Sequence, residues 1–333
     1  MSDRPWSPGA ATAIGSLPGT DPVEAAALVF GELPDLPHLP ELPDRGVGAQ
    51  LVGRSAALLV DLAVEIVPSG WRLTSRAGRD LRRAQDCLAR DLDALEAAAD
   101  GFRGALKVQV CGPWTLAANV EVQSGHRVVR DYGATRDLAD SLTEGLRVHL
   151  ADVGSRVPGA RLIVQLDEPG LPAVLGGTVP TPSGFGTVRP VTVETVQQTL
   201  RGVLDVAAAG ARVVHCCAAD APIAVLRAAG ADALALDLAL LDTGHYDALG
   251  EAVDAGASLW LGVLPTRDAA ITVDTAREPI RRFWNALGFP LGQLAATIVP
   301  TPACGLAGAS PEYARRVLSL LRDTGRALRD DSE

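Results

Sequence analysis

The sequence predicts an α/β fold, a single (β/α)8 barrel domain over residues 1–333, and three observations carry that expectation. Short β-branched runs alternate with longer Ala, Leu and Arg segments of helical period over 333 residues, room for a barrel of about 250 residues plus insertions. Most of the strand candidates are unbroken apolar runs, as expected for strands buried on both faces of a parallel sheet. No Gly-x-Gly-x-x-Gly follows the first candidate strand, which weighs against a doubly wound open sheet.

Taken in order, the strand candidates are Thr12–Ser16, Leu106–Cys111, Leu162–Asp167, Val213–Cys217, Ala233–Asp237, Leu259–Leu264 and Ala296–Val299. An eighth is expected between Gly46 and Trp71. Residues 31–48, with Pro34, Pro37, Pro40 and Pro43, read as an irregular Pro-rich insertion, and Gly176–Pro190 as a long loop. Helices are expected over Arg76–Ala99, Arg136–Val153, Thr192–Ala209, Ala221–Ala229, Tyr246–Ala255, Thr275–Leu287 and Pro311–Leu328. The first begins after Thr74–Ser75 and carries Leu81, Leu88, Leu92 and Leu95 on one side. The last has Ser310 as its N-cap and Pro311 in its first turn.

Composition removes several classes of function. Thirty basic residues against forty acidic ones give a formal charge of −10, the wrong sign for a protein that tracks phosphates, so no nucleic-acid partner is expected. Lys107 is the single lysine, which excludes a Gly-Lys-Ser/Thr phosphate loop. Five cysteines in a long chain do not suggest a secreted disulfide scaffold. Met1 to Pro8 lack an apolar signal core, and no run approaches twenty apolar residues, so a cytoplasmic protein without a membrane partner is expected.

In such a barrel, chemistry sits at the C-terminal ends of the strands. The richest end is Val213-Val214-His215-Cys216-Cys217. Alternation turns His215 and Cys217 to one face and Cys216 to the other. Imidazole and thiolate on one face make half of a zinc site, although His-x-Cys alone equally suits a core histidine beside small buried residues. Cys304 follows the last strand and Asp237 ends another, which completes a His, Cys, Asp, Cys set able to hold Zn²⁺ while one ligand yields to substrate. Asp237 would serve equally as a helix cap. Asp167 and Glu168 end the Leu162 strand. A carboxylate there can receive a substrate ammonium or fix an arginine. As adjacent residues on opposite faces, they cannot flank one glycosidic bond.

Five motifs occur in order: Ile14-Gly15-Ser16, Cys111-Gly112-Pro113-Trp114-Thr115, Gln165-Leu166-Asp167-Glu168-Pro169, His215-Cys216-Cys217 and Pro302-Ala303-Cys304-Gly305-Leu306. Together they resemble the C-terminal catalytic barrel of cobalamin-independent methionine synthase, within the wider group that includes uroporphyrinogen decarboxylase. The resemblance runs from about residue 12 to residue 325 as a short single-barrel form. It implies Zn²⁺ on His215, Cys217, Asp237 and Cys304, binding a homocysteine thiol. It also implies that Gly15 and Ser16 contact the amino-acid portion and that Asp167 holds the ammonium. Departures are Asp237 where the family has Glu, Asn119 near the place where the family has a folate-packing Trp, and no counterpart near Gln50 of a further Glu that helps hold the ammonium.

The activity implied is a zinc-dependent homocysteine S-methyltransferase acting on small molecules, its donor a methyltetrahydrofolate or a methyl-corrinoid, the latter involving a corrinoid protein as partner. The alternatives are a zinc alkyltransferase acting on another thiol and a non-catalytic zinc or amino-acid binding module. A metal-free decarboxylase would leave His215, Cys217 and Cys304 unexplained.

Overall fold

The computed structural model describes residues 4–207 and 210–333. Met1–Asp3, and Ala208 and Ala209 at the end of the helix expected from Thr192, lie outside the described residues. The strands are β1 (Ala63–Val67), β2 (Gly70–Thr74), β3 (Gly104–Cys111), β4 (Val120–Glu121), β5 (Ala160–Asp167), β6 (Ala211–Cys216), β7 (Ala233–Asp237), β8 (Ser258–Leu264) and β9 (Ile298–Pro302). Six of them form a parallel sheet in the order β3-β5-β6-β7-β8-β9.

The eight-stranded barrel expected from the sequence is thus replaced by a curled sheet of six strands. Between its edges, β9 and β3, run two extended stretches without regular ladders. The Thr12 N–H donates to the Pro300 carbonyl at 3.4 Å, Ser16 bridges Glu41, and His38 bridges Lys107. Expected strand Thr12–Ser16 is the first stretch, and the Pro-rich insertion supplies the second. Pro37 and Pro40 carry no N–H, so residues 37–41 cannot sustain a ladder. The Leu39 N–H donates to Lys107 and that of Glu41 to Gly15. Residues two apart in a regular strand would donate to the same side, so the backbone swivels at Pro40.

The strand expected between Gly46 and Trp71 is an antiparallel hairpin instead. β1 pairs with β2, and β2 with β4, in a small separate sheet. Thr74 closes β2, and the following helix starts later than expected, at Arg79–Ala98. An unforeseen helix, Pro22–Glu32, follows Asp21, whose side chain accepts the N–H groups of Val23 and Glu24. Asp followed by Pro is a helix-start signal in its own right. Among the described residues, no helix is long and apolar enough to cross a membrane.

Alternation along the strands sorts the interior from the helix-facing core. Leu106, Val108, Val164, Leu166, Val214, Cys216, Leu234 and Leu236 pack with the helices. Ala105, Ile163, Ala211, Val213, Ala233, Ala235, Trp260 and Val299 pack with each other and with Trp6. Trp6 meets Trp260 edge-on at 5.3 Å. Odd-numbered residues of β3, β5, β6 and β7 therefore face inward, which places Lys107, Gln165, Asp167, His215 and Asp237 on the inside above an apolar floor.

Candidate metal centre

His215 lies one residue before the end of β6, and Asp167, the last residue of β5, is its direct partner in register. A ring nitrogen of His215 and the sulfurs of Cys217 and Cys304 lie within 4.8 Å of one another. The two sulfurs are 3.4 Å apart and hydrogen bonded, and both cysteines are free thiols. Nδ1 of His215 donates to Asp167 Oδ1 at 2.8 Å. Its other nitrogen, Nε2, is buried without a hydrogen-bond partner. Buried polar atoms are seldom left unpaired, and an orphan next to two thiols is what a metal ligand becomes without its ion.

The electrostatics suit that role. Burial opposes a charge on His215, but the Asp167 carboxylate and Cys304 prevail and raise the imidazole to about 9. Cys304, facing the Cys217 thiol and the His215 ring, is lowered. Cys217 moves up, since the hydrogen bond to Cys304 and burial both favour its proton. Two thiolates about 2.3 Å from a tetrahedral zinc ion stand about 3.8 Å apart, close to the spacing present. One imidazole and two thiolates fit Zn²⁺ and leave a coordination place open, and a carboxylate on the far ring nitrogen is the usual outer partner of such a histidine. Cys216 points the other way, fully buried among apolar side chains, and burial pushes its thiol up to about 12.

Asp237 is placed differently. Its carboxylate caps the short turn Leu238–Leu240, accepting the Ala239 N–H at 3.0 Å. It is not among the atoms gathered within 4.8 Å. It still feels the cluster: burial raises its carboxyl, the Ala239 N–H opposes the rise, Cys304 adds to it, and His215 lowers it. The structure thus brings together His215, Cys217 and Cys304 and holds Asp237 in the capping role.

Gly15, Ser16 and Asp167 line a cavity of about 210 Å³ that also reaches His215, Cys217 and Cys304. A side chain at Gly15 would stand 2.8 Å from the Gln109 amide. Gly305 has no room for one beside the Ser16 hydroxyl, and the Ser16 carbonyl accepts the Leu306 N–H at 2.8 Å. A larger hollow of about 690 Å³, between residues 17–32 and the start of the last helix, contains none of these donors.

Sequence reasoning missed two charged residues here. Glu41 lines the cavity at 7% exposure. Burial lifts its carboxyl to about 7, with Arg54 opposing the rise and Asp167 adding to it. Arg54 Nε lies 3.5 Å from Glu41 and is itself paired with Asp91. The available signal was one acid among Leu36, Leu39 and Leu42, all of them buried. Lys107 is fully buried, and its ammonium donates to the Ile14 carbonyl and to Gln165 Oε1, both at 2.7 Å. Its signal was the chain's single lysine, set inside the mostly apolar strand β3.

Glu168, on the opposite face from Asp167, is also fully buried. It accepts the N–H groups of Trp114 at 3.0 Å and Thr115 at 2.7 Å, and the Thr115 hydroxyl at 2.7 Å. Burial nevertheless lifts its carboxyl to about 7, and Gly112 leaves the space it occupies. The Asp-Glu-Pro and Cys-Gly-Pro-Trp-Thr motifs are therefore two halves of one clamp on the helix Pro113–Asn119.

A B12-independent methionine synthase from Shewanella sp. W3-18-1, in complex with selenomethionine, shares this fold at a TM-score of 0.63 and 13% identity, covering 98% of this chain and 99% of that one. A family 1 β-glucosidase from Thermotoga maritima aligns at a TM-score of only 0.44 and 10% identity, over 99% of each chain. No curated protein matches the chain. The model of the family described as "Cobalamin-independent synthase, Catalytic domain" matches residues 9–327. By that match, over nearly its whole length, the chain belongs to the family of the cobalamin-independent synthase catalytic domain.

Proposed function

We propose that this protein is a zinc-dependent methyltransferase that methylates the thiol of L-homocysteine to give methionine, with a methyltetrahydrofolate as donor. The observation that carries the reading is the orphaned Nε2 of His215 beside the Cys217 and Cys304 sulfurs, opening onto a cavity lined with acids. Zn²⁺ held by these three residues would deprotonate a bound thiol and so supply a nucleophile at neutral pH. His215 is oriented for that task by Asp167, and Cys304, already lowered, offers thiolate character. Asp237, which caps the Ala239 turn, would be the fourth ligand of the resting site in this reading, in the place a substrate thiol would take.

The rest of the cavity suits an amino acid. Its 210 Å³ equals about seven waters' share of liquid volume. Asp167 and Glu41 face a cavity the size of a small zwitterion, and a bound ammonium between them would offset their mutual repulsion. Gly15 and Ser16 line the wall suited to the rest of the amino acid. The family's cobalamin-independent description supports small-molecule substrates and weighs against a corrinoid partner.

The test is calorimetric titration of zinc-loaded protein with homocysteine and with a thiol of equal length lacking the amino group, followed by methyl transfer from a methyltetrahydrofolate. Glu41→Gln should weaken homocysteine by about tenfold or more, as loss of a buried charged partner does, and leave the plain thiol unchanged. Equal loss of both thiols, or no thiol uptake by the zinc-loaded protein, would sink the substrate assignment.

A further inference from the structure

We propose that Lys107 is a positioning residue of the metal centre, and that it fixes both the His215 ring and the Ile14-Gly15-Ser16 turn through a one-way chain of hydrogen bonds. The proposal rests on the reading of His215, Cys217 and Cys304 as metal ligands. Lys107 and Gln165 lie on neighbouring strands and face the interior, two residues apart in register. Burial lowers Lys107 to about 7, with Asp167 and Glu41 opposing the fall, and in its charged form the group can only donate. Gln165 therefore presents Oε1 to it, at 2.7 Å, and its amide NH₂ must face the other way. That NH₂ donates to Asp167 Oδ1 at 2.7 Å and to the Ile14 carbonyl at 2.9 Å.

The same Asp167 oxygen lies 2.8 Å from His215 Nδ1. Nδ1 is the donor to that carboxylate, so in the neutral, metal-binding form of the ring the lone pair falls on Nε2, on the side of the sulfurs. The bond directions agree from both ends of the series, donor-only at Lys107 and acceptor-only at Asp167 and the Ile14 carbonyl. Without Lys107, the buried Gln165 Oε1 loses the ammonium it accepts from, and the amide is held at its NH₂ end alone. Unanchored at its oxygen, the amide would loosen its bond to Asp167 and with it the support behind His215. The lysine also donates directly to the Ile14 carbonyl at 2.7 Å, so the turn lining the cavity hangs from the same point.

A plain charge effect has the opposite sign. A buried cation near a metal ion repels it, so if Lys107 acted only by its charge, removing it would tighten metal binding. Positioning requires that removal weaken it. Outer partners of metal-bound histidines are worth about 10–100-fold in metal affinity, and Lys107, one step further out, is expected near the lower end.

The experiment is Co²⁺ binding by chelator competition, read by the sulfur-to-cobalt charge-transfer band and the ligand-field bands, in the parent, Lys107→Met, Gln165→Met and the double variant. Each single change should weaken binding about tenfold and alter the ligand-field bands. The double variant should bind about as well as the weaker single one, because both act through one chain. Unchanged or tighter binding in folded Lys107→Met, or losses that add in the double variant, would overturn the proposal. If Lys107→Met does not fold, Gln165→Met, which keeps the lysine and the volume, decides: unchanged affinity there overturns it equally. A parent protein with no charge-transfer band would refute the metal reading itself, a result distinct from a band that Lys107→Met leaves untouched.

Discussion

Cys216 and Cys217 are neighbours in sequence with opposite surroundings, and they make the sharpest test at the scale of one residue. Cys216 is wholly buried among apolar side chains, whereas Cys217 lies with His215 and Cys304. Cys216→Ala should retain stoichiometric zinc, and Cys217→Ala should lose most of it, as elemental analysis after gel filtration would reveal. Zinc lost from the first variant and kept by the second would contradict the register of β6. This distinction was legible in the sequence because strand alternation is a rule of parity. Asp237 was not legible in the same way: whether a carboxylate at a strand end caps a turn or binds a metal depends on one backbone N–H, here that of Ala239. Asp167 was legible as a site acid, but its bond to His215 depends on which strand lies beside β5. The bond implies that Asp167→Asn will weaken zinc by about 10–100-fold as well as impair homocysteine, measurable by chelator competition. Undiminished zinc affinity would leave Asp167 with substrate alone.

At the scale of elements, the end of β9 shows how backbone brings Cys304 beside His215 and Cys217. Its pairing with β8 slips between Gly262 and Leu264, and a Cβ on Gly262 would stand 2.6 Å from the Ala303 backbone. The bare glycine lets residue 303 close in and carry Cys304 to the centre. Gly262→Ala should therefore weaken zinc about tenfold or more while the other ligands stay in place, and undiminished affinity would show that another contact holds Cys304. The helix Tyr132–Arg156 gives a pH test. His149 is 4% exposed on it, and burial, aided by Arg54, lowers its imidazole to about 4. With the folded value below the unfolded one, the unfolded chain binds the extra proton, so this contribution is present above about pH 6.5 and is lost as pH falls toward 4. The slope is up to about 1.4 kcal/mol per pH unit. Urea unfolding of His149→Leu should lack it, and an unchanged acid-side slope would assign the titration elsewhere. Several strands were read from sequence to within two residues: β7 occupies the expected residues, and β3, β5 and β8 begin one or two residues early. Stretches 12–16 and 37–41 were harder to read because prolines and single bridges leave no period to detect.

For the whole molecule, the question is whether the metal holds the fold or the fold holds the metal. The helix-facing core is continuous from Leu39 to Leu328, and a second cluster joins the first turn to the last helix; neither includes His215, Cys217 or Cys304. The donors sit instead on an interior layer whose positions are set by strand register and by polar partners such as Asp167 and Lys107. A site assembled on a finished core binds folded protein only, so it adds stability by mass action, about 4 kcal/mol at a thousandfold excess over Kd. The metal-free chain should therefore remain folded, unlike small domains whose folding is their metal binding. Chelation is expected to leave the far-ultraviolet circular dichroism unchanged and to lower the melting temperature by several degrees. Zinc should restore that loss in the parent but not in Cys217→Ser/Cys304→Ser, which should melt where the chelated parent does. Unfolding on chelation would mean that the cluster fastens the ends of β6 and β9 as a structural staple, which would remove the open coordination place the methyltransferase reading needs.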